Sequence, residues 1–440
     1  MPRYPLLLLL FASCGSDQSL EYDLEPIPLT RAPIEPGGEA LGGLLAKVTT
    51  ASGIQPLLVD SAYPIDSLAR SGCAGGGTPG WTYTGDMDLR DGWNSAAPLR
   101  ASFRNVDLFD ICPGTTGDAT TQPAGVMGGP LLANFSVGLV FPRSASTWAT
   151  MTLWPGFPGA DDQLAKDGLV PLHFVLSGGA SVAQGNGEPS VSLPNSRIVL
   201  AACAAPRSFS TTEAQETCAS GEIAIRASGQ NLLLAVGTGE GPLILSQSAW
   251  ERIAAETGMA SDAGSAGDLY TPFSTAPTPA RFLTLPRLAV LQGTTDSSWN
   301  GACAELARAR RIEWVLANQD SSACFQPCDA SGGQAIATRP YLELGGALSL
   351  AVVSETSDLI QSLNVNIGAN PLVDGIIGAG VLAGTRLHLD YPSTPQARVL
   401  VACEDGSTRD ACWAAASCPG QGQNQICFGQ PVPKWAAVCP

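Results

Sequence analysis

The residues able to do chemistry in this 440-residue chain are few, and Asp60 stands first among them. It ends the run Leu57-Leu58-Val59-Asp60-Ser61-Ala62, an apolar strand that delivers one carboxylate into a turn of small residues. A carboxylate so placed can hold a water molecule and act on it as a general base. A second run of similar shape, Leu234-Ala235-Val236-Gly237-Thr238-Gly239-Glu240-Gly241, leads into Leu243-Ile244-Leu245-Ser246, but Gly237 stands where the first run has its Asp. Other chemistries find less support. There is no Gly-x-Ser-x-Gly elbow, and the two histidines, His173 and His388, sit between apolar neighbours as strand-face residues, which argues against a Ser–His triad. Cys324 and Cys328 have near-ligand spacing without a second matched pair, so no metal and no cofactor is expected.

The elements that must position these runs are marked by a repeat. Residues 124–142 align without gaps on 374–392 at a constant offset of 250, and Gly125, Gly128, Leu132, Ala133, Leu139 and Pro142 recur as Gly375, Gly378, Leu382, Ala383, Leu389 and Pro392. Each copy reads as strand, small-residue turn, helix and strand, with glycines that allow close backbone approach. A repeat of this length predicts a duplicated domain. Asp60 and Gly237 are only 177 apart, so the second half carries 73 further residues, expected as an insertion at about 290–335 with Cys303, Cys324 and Cys328.

Composition bounds the rest. Abundant Gly and Pro (49 and 34), only 14% charged residues and short β-branched runs between turn signals favour an all-β chain. A formal net charge of −16 argues against nucleic acid as a partner. The N-terminus has Arg3, the apolar run Leu6–Leu10 and then Phe11-Ala12-Ser13-Cys14, which is similar to a bacterial lipoprotein signal. The similarity implies removal of residues 1–13 and acylation of Cys14, hence an exported protein lipid-anchored in the cell envelope, at the outer membrane or periplasmic face. Thirteen cysteines less Cys14 leave twelve, an even number suited to disulfides in an oxidising compartment. Cys73 with Cys112 and Cys203 with Cys218 are the expected local bridges. Residues 14–40 read as a flexible tether, with order beginning near Leu44, and 258–280 as a surface loop. The lobes are expected over 41–190 and 191–403, and 404–440 as a Cys-rich tail held by disulfides.

An apolar strand ending in Asp-Ser/Thr-Gly, followed later by an apolar-apolar-Gly segment, is the pattern of pepsin-like and retropepsin-like aspartic peptidases. Leu58-Val59-Asp60-Ser61-Ala62 with Gly125-Val126-Met127-Gly128 resembles one half of such an enzyme. Val236-Gly237-Thr238-Gly239 with Asp374-Gly375-Ile376-Ile377-Gly378 resembles the other. The resemblance implies a two-lobed all-β fold in which each half supplies one Asp to a cleft, the pair sharing one proton: the ionised acid activates water, the protonated one polarises the scissile carbonyl. Asp60 and Ser61 fit the first position. Gly237, Thr238 and Gly239 keep the second turn without its acid, and Gly125, Gly128, Gly375 and Gly378 take the cleft-supporting places. Glu240 is expected to point away from the cleft, and Asp374 to be structural. Trp81–Gly85, faintly similar to the family's Tyr-bearing flap, is read as a turn. The leading expectation is therefore a catalytically degenerate homologue, a monomer whose cleft binds peptide or protein. An active endopeptidase would need a second acid within hydrogen-bond reach of Asp60, and a purely structural envelope protein would fill the cleft with bulky residues.

Overall fold

The computed structural model describes residues 20–22, 25–31, 43–51, 53–69, 82–91, 96–110, 123–142, 149–154, 170–173, 175–177, 180–182, 191–193, 196–205, 229–271, 277–291, 302–303, 341–364, 373–391, 398–403 and 425–428. Among these the strands form a 13-stranded sheet, a nine-stranded sheet and a two-stranded ribbon. Helices are short: Gly129–Leu132, Gln247–Thr257 and Asp358–Asn364 are those whose bounds bear on the site.

The two halves repeat one arrangement. In the first, the strand Gly53–Val59 runs into the Asp60 turn and the chain returns as the short strand Ser67–Leu68. Between them lies Gly125–Met127, parallel to the former (Leu57 opposite Gly125) and antiparallel to the latter. In the second half, Gly375–Ile377 lies between Gln230–Val236, to which it is parallel (Leu234 opposite Gly375), and Leu243–Ser246. The registers match residue for residue at the offsets of 177 and 250, so the all-β duplication that the resemblance implies is what the strands build.

The glycines are required by this threading. A Cβ on Gly125 would meet the Ser67 carbonyl, and one on Gly375 the Ile244 carbonyl. Gly128 and Gly378 bear in the same way on the carbonyls of Ile65 and Pro242. Apolar side chains then close each half: Phe103 packs edge-on against Phe135 with ring centroids 5.9 Å apart, and Trp250 is buried beneath its own helix. That helix starts at Ser246, whose hydroxyl accepts from Ala249 N at 3.2 Å, and stops at Gly258 with φ +67°.

One strand from each copy of the repeat joins the halves. Ser136–Phe141 pairs antiparallel with Thr385–Asp390, and Gly138 stands opposite His388, its own counterpart at offset 250. The duplication axis therefore runs between these two residues. Trp154 stacks on His388 (centroids 5.3 Å apart), over the space that Gly138 leaves by lacking a side chain.

Several sequence expectations need correction. The tether is in part a strand: Ile27–Arg31 pairs with Leu44–Thr50 and Ala149–Trp154, and Ile27 and Leu29 are buried in the core. Their period-two alternation across Pro28 was the available signal. Strands of 385–403 pair with the first half's sheet, so the boundary at 190/191 does not divide the pairing. Within the expected loop 258–280, Ser265–Leu269 is an edge strand. Cys203 bridges to Cys303, 100 residues on, and not to Cys218. In the tail, Gln425–Phe428 adds to the sheet beside Tyr341–Val353. The signal segment with Cys14, Cys73, Cys112, and most of the 290–335 insertion lie outside the described residues.

Candidate active site

The two turns meet back to back, and their backbones are cross-bonded. Ser61 Oγ donates to Val236 O at 2.5 Å, while Thr238 Oγ1 donates to Val59 O at 2.7 Å and accepts from Ser61 N at 3.1 Å. Asp60 N donates to Met127 O and Gly237 N to Ile377 O, both at 3.0 Å. Asp60 and Gly237 thus occupy equivalent places on either side of the junction. Gly239 must be small, because a Cβ there would lie 2.8 Å from the Asp60 Cβ and Cγ.

Glu240 does not point away as expected. Its carboxylate faces Asp60 within hydrogen-bond reach, and its Oε2 fills the position that a Cβ on Gly237 would take. The backbone is held for this by Ala379 N, which donates to Glu240 O at 2.7 Å. The missing side chain at Gly237 and the acid three residues later are therefore one exchange. The available signal was that pair of facts taken together: a vacated position, and a longer acid close enough to fill it.

Both acids are wholly buried. As two anions they would leave Asp60 Oδ2 and both Glu240 oxygens without a donor among the described residues. A single proton shared between them supplies the bond that two carboxylates cannot make. Their surroundings make the acids unequal. Burial raises Asp60 to about 6, against the pull of the Ala62 amide on Oδ1 (2.9 Å), the Gly239 amide, the Glu240 hydrogen bond and the Arg197 charge. Burial and the Asp60 charge push Glu240 well above the usual carboxylate range. Both acids are thus pushed toward the protonated form, and the pair holds one proton and one negative charge. Nearby, burial and that charge also raise the phenols of Tyr63 and Tyr391.

Other sequence-derived residues lie elsewhere. Asp374 accepts from Leu233 N at 2.8 Å and pairs with Arg252 at 2.6 Å, bracing the second half away from the dyad. Tyr83 belongs to the strand Thr82–Arg90, not to a turn, and its hydroxyl donates to Leu68 O at 2.8 Å. Trp81 lies outside the described residues.

No protein-family model matches the chain, and no curated protein matches it in sequence. Among solved structures it is similar to conglutin gamma, a basic 7S globulin from lupine seeds, at 11% identity and a TM-score of 0.40, covering 88% of this chain and 98% of that one. It is similar to the basic 7S globulin from soybean at 11% identity and a TM-score of 0.37, covering 89% and 96%. An aspartic proteinase from Irpex lacteus is also similar, at 13% identity and a TM-score of 0.35, covering 86% and 97%.

Proposed function

We propose that this chain is a peptide hydrolase of the aspartic type whose catalytic pair is Asp60 and Glu240. The observation that carries the reading is the shared burial of these two carboxyl groups at the junction of the duplicated halves. The Asp60 carboxylate takes a proton from water as the water oxygen attacks the peptide carbonyl carbon, and the Glu240 carboxyl gives its proton to the carbonyl oxygen. The resulting gem-diol returns a proton to Glu240, Asp60 protonates the amide nitrogen, and the C–N bond breaks. The pair ends in its starting state. Because both acids are fully buried, substrate entry requires the surrounding walls to part.

The setting proposed with it is the cell envelope, reached by export and held by acylation of Cys14. Its support is the Leu6–Leu10 run before Phe11-Ala12-Ser13-Cys14 and a cysteine content suited to an oxidising compartment.

Cleavage of a diverse peptide library by the purified protein, scanned from pH 4 to 8, tests the activity. Cleavage lost in both Asp60→Asn and Glu240→Gln supports the dyad. Cleavage that survives Glu240→Gln rejects it, and no cleavage at any pH leaves the cleft as a binding site or a structural junction.

A further inference from the structure

We infer that Arg197 is a positioning residue of the dyad: a fixed internal cation that balances the single negative charge of the Asp60–Glu240 pair and ties the Asp60 loop to the opposite half. This rests on the dyad reading above. Arg197 opens the strand Arg197–Ala205 and is only 1% exposed, one of the largest fully buried side chains of the protein. Its three hydrogen bonds all go to backbone carbonyls: Nε to Ala62 at 3.1 Å, one terminal nitrogen to Leu363 at 2.8 Å, the other to Ser362 at 3.2 Å.

Among the described residues no carboxylate forms an ion pair with it. A buried cation held only by neutral acceptors is costly unless a charge of opposite sign lies near. The charge that acts on it is that of the Asp60–Glu240 pair. Among the described residues, Tyr63 and Tyr391 also face the pair's charge and are held in their neutral phenol form. The helix Asp358–Asn364 offers its last carbonyls to the guanidinium, with Asp358 at its far end. With one proton on the pair, the pair and Arg197 are neutral together.

The bonds point to the same place. Ala62 supplies both the amide that holds Asp60 Oδ1 and the carbonyl that Arg197 holds, so the guanidinium fixes the loop orienting the base. A lysine would keep the charge and lose most of the fork; a glutamine would lose the charge.

The test reads the titration of the pair directly, by carbon-13 NMR of carboxyl-labelled protein with signals assigned from Asp60→Asn and Glu240→Gln. Arg197→Gln is expected to move the Asp60 midpoint upward by about one pH unit, the effect of removing a nearby opposite charge. Arg197→Lys is expected to hold the midpoint within about half that shift while lowering the melting temperature. An unmoved midpoint in Arg197→Gln, or equal shifts in both variants, overturns the inference. Should Arg197→Gln not fold, Arg197→Lys decides, because a midpoint that follows the lost bonds moves with it. Peptide cleavage is scored in parallel. A wild type that never cleaves removes the hydrolase reading and leaves the titration result standing, and the converse outcome removes only the role of Arg197.

Discussion

Glu240 Oε2 stands where Gly237 would carry its β-carbon, so the second half of the duplication brings an acid to the junction from three residues beyond the counterpart of Asp60. A glycine at 237 is what makes room for the longer side chain.

An acid placed at 237, the counterpart of Asp60, should therefore harm the wild type. A Cβ there meets both Glu240 and the Ile376 methyl carbon at 2.5 Å, and overpacking of a tight interior costs about 1–3 kcal/mol. Gly237→Asp is expected to lower stability by that amount and to abolish cleavage. Adding Glu240→Ala is expected to recover stability and activity together. Denaturation curves and peptide cleavage of the single and double variants check both.

The pH profile follows from the inequality of the acids. In the proposed mechanism the working state needs Asp60 ionised and Glu240 protonated. As pH falls through about 6, Asp60 gains a proton and the base is lost. As pH rises, activity ends only when Glu240, held well above the ordinary range, gives up its proton. Cleavage is expected to rise through pH 6 and to be poor in strong acid. A maximum near pH 3 in a kcat/KM profile would refute this assignment of roles.

The repeat at offset 250 and the 177-residue spacing of the two turns were legible because glycines at 125, 128, 375 and 378 are demanded by backbone contact, and such demands leave fixed residues in fixed order. The second acid was not legible in the same way. The direction of the Glu240 side chain depends on the Ala379 amide that pins its carbonyl, a contact across 139 residues. Cys203 with Cys303 is another long-range choice. Proximity in sequence favoured Cys218, whereas strand pairing of Arg197–Ala205 with Gln230–Val236 brings Asn231 to the amide of Cys303 at 2.8 Å.

The cross-bonded turns predict an asymmetry between two conservative substitutions. Thr238→Val removes two bonds, the one given to Val59 O and the one taken from Ser61 N, whereas Ser61→Ala removes only the one given to Val236 O. At about 0.5–1.5 kcal/mol for each hydrogen bond lost, Thr238→Val should be the more destabilising of the two. Because Val59 and Ser61 flank Asp60, it should also lower kcat more. Chemical denaturation with an unchanged m-value, read beside kcat, checks the order.

Asp66 gives the fold its own pH dependence, independent of catalysis. Its Oδ1 accepts from Gly128 N at 2.7 Å, and burial raises it from about 3.8 to about 8 despite that bond. The native state therefore holds a proton that the unfolded chain has released between these two values, and stability falls as pH rises through that window. The slope is about 1.4 kcal/mol per pH unit while the native proton is retained. Asp66→Asn keeps the acceptor for Gly128 and cannot ionise. It is expected to match the wild type near pH 4 and to exceed it at pH 8, flattening this part of the stability profile. Asp60, raised to about 6, and Glu240, raised well above the ordinary range, add falls in the same direction, while His388, lowered from 6.5 to about 4 by burial, opposes them between those values, so Asp66→Asn removes only its own share of the pH dependence. Melting temperatures of the two proteins from pH 4 to 9 isolate that share, and a gap between Asp66→Asn and the wild type that does not widen from pH 4 to 8 would contradict the buried, protonated Asp66.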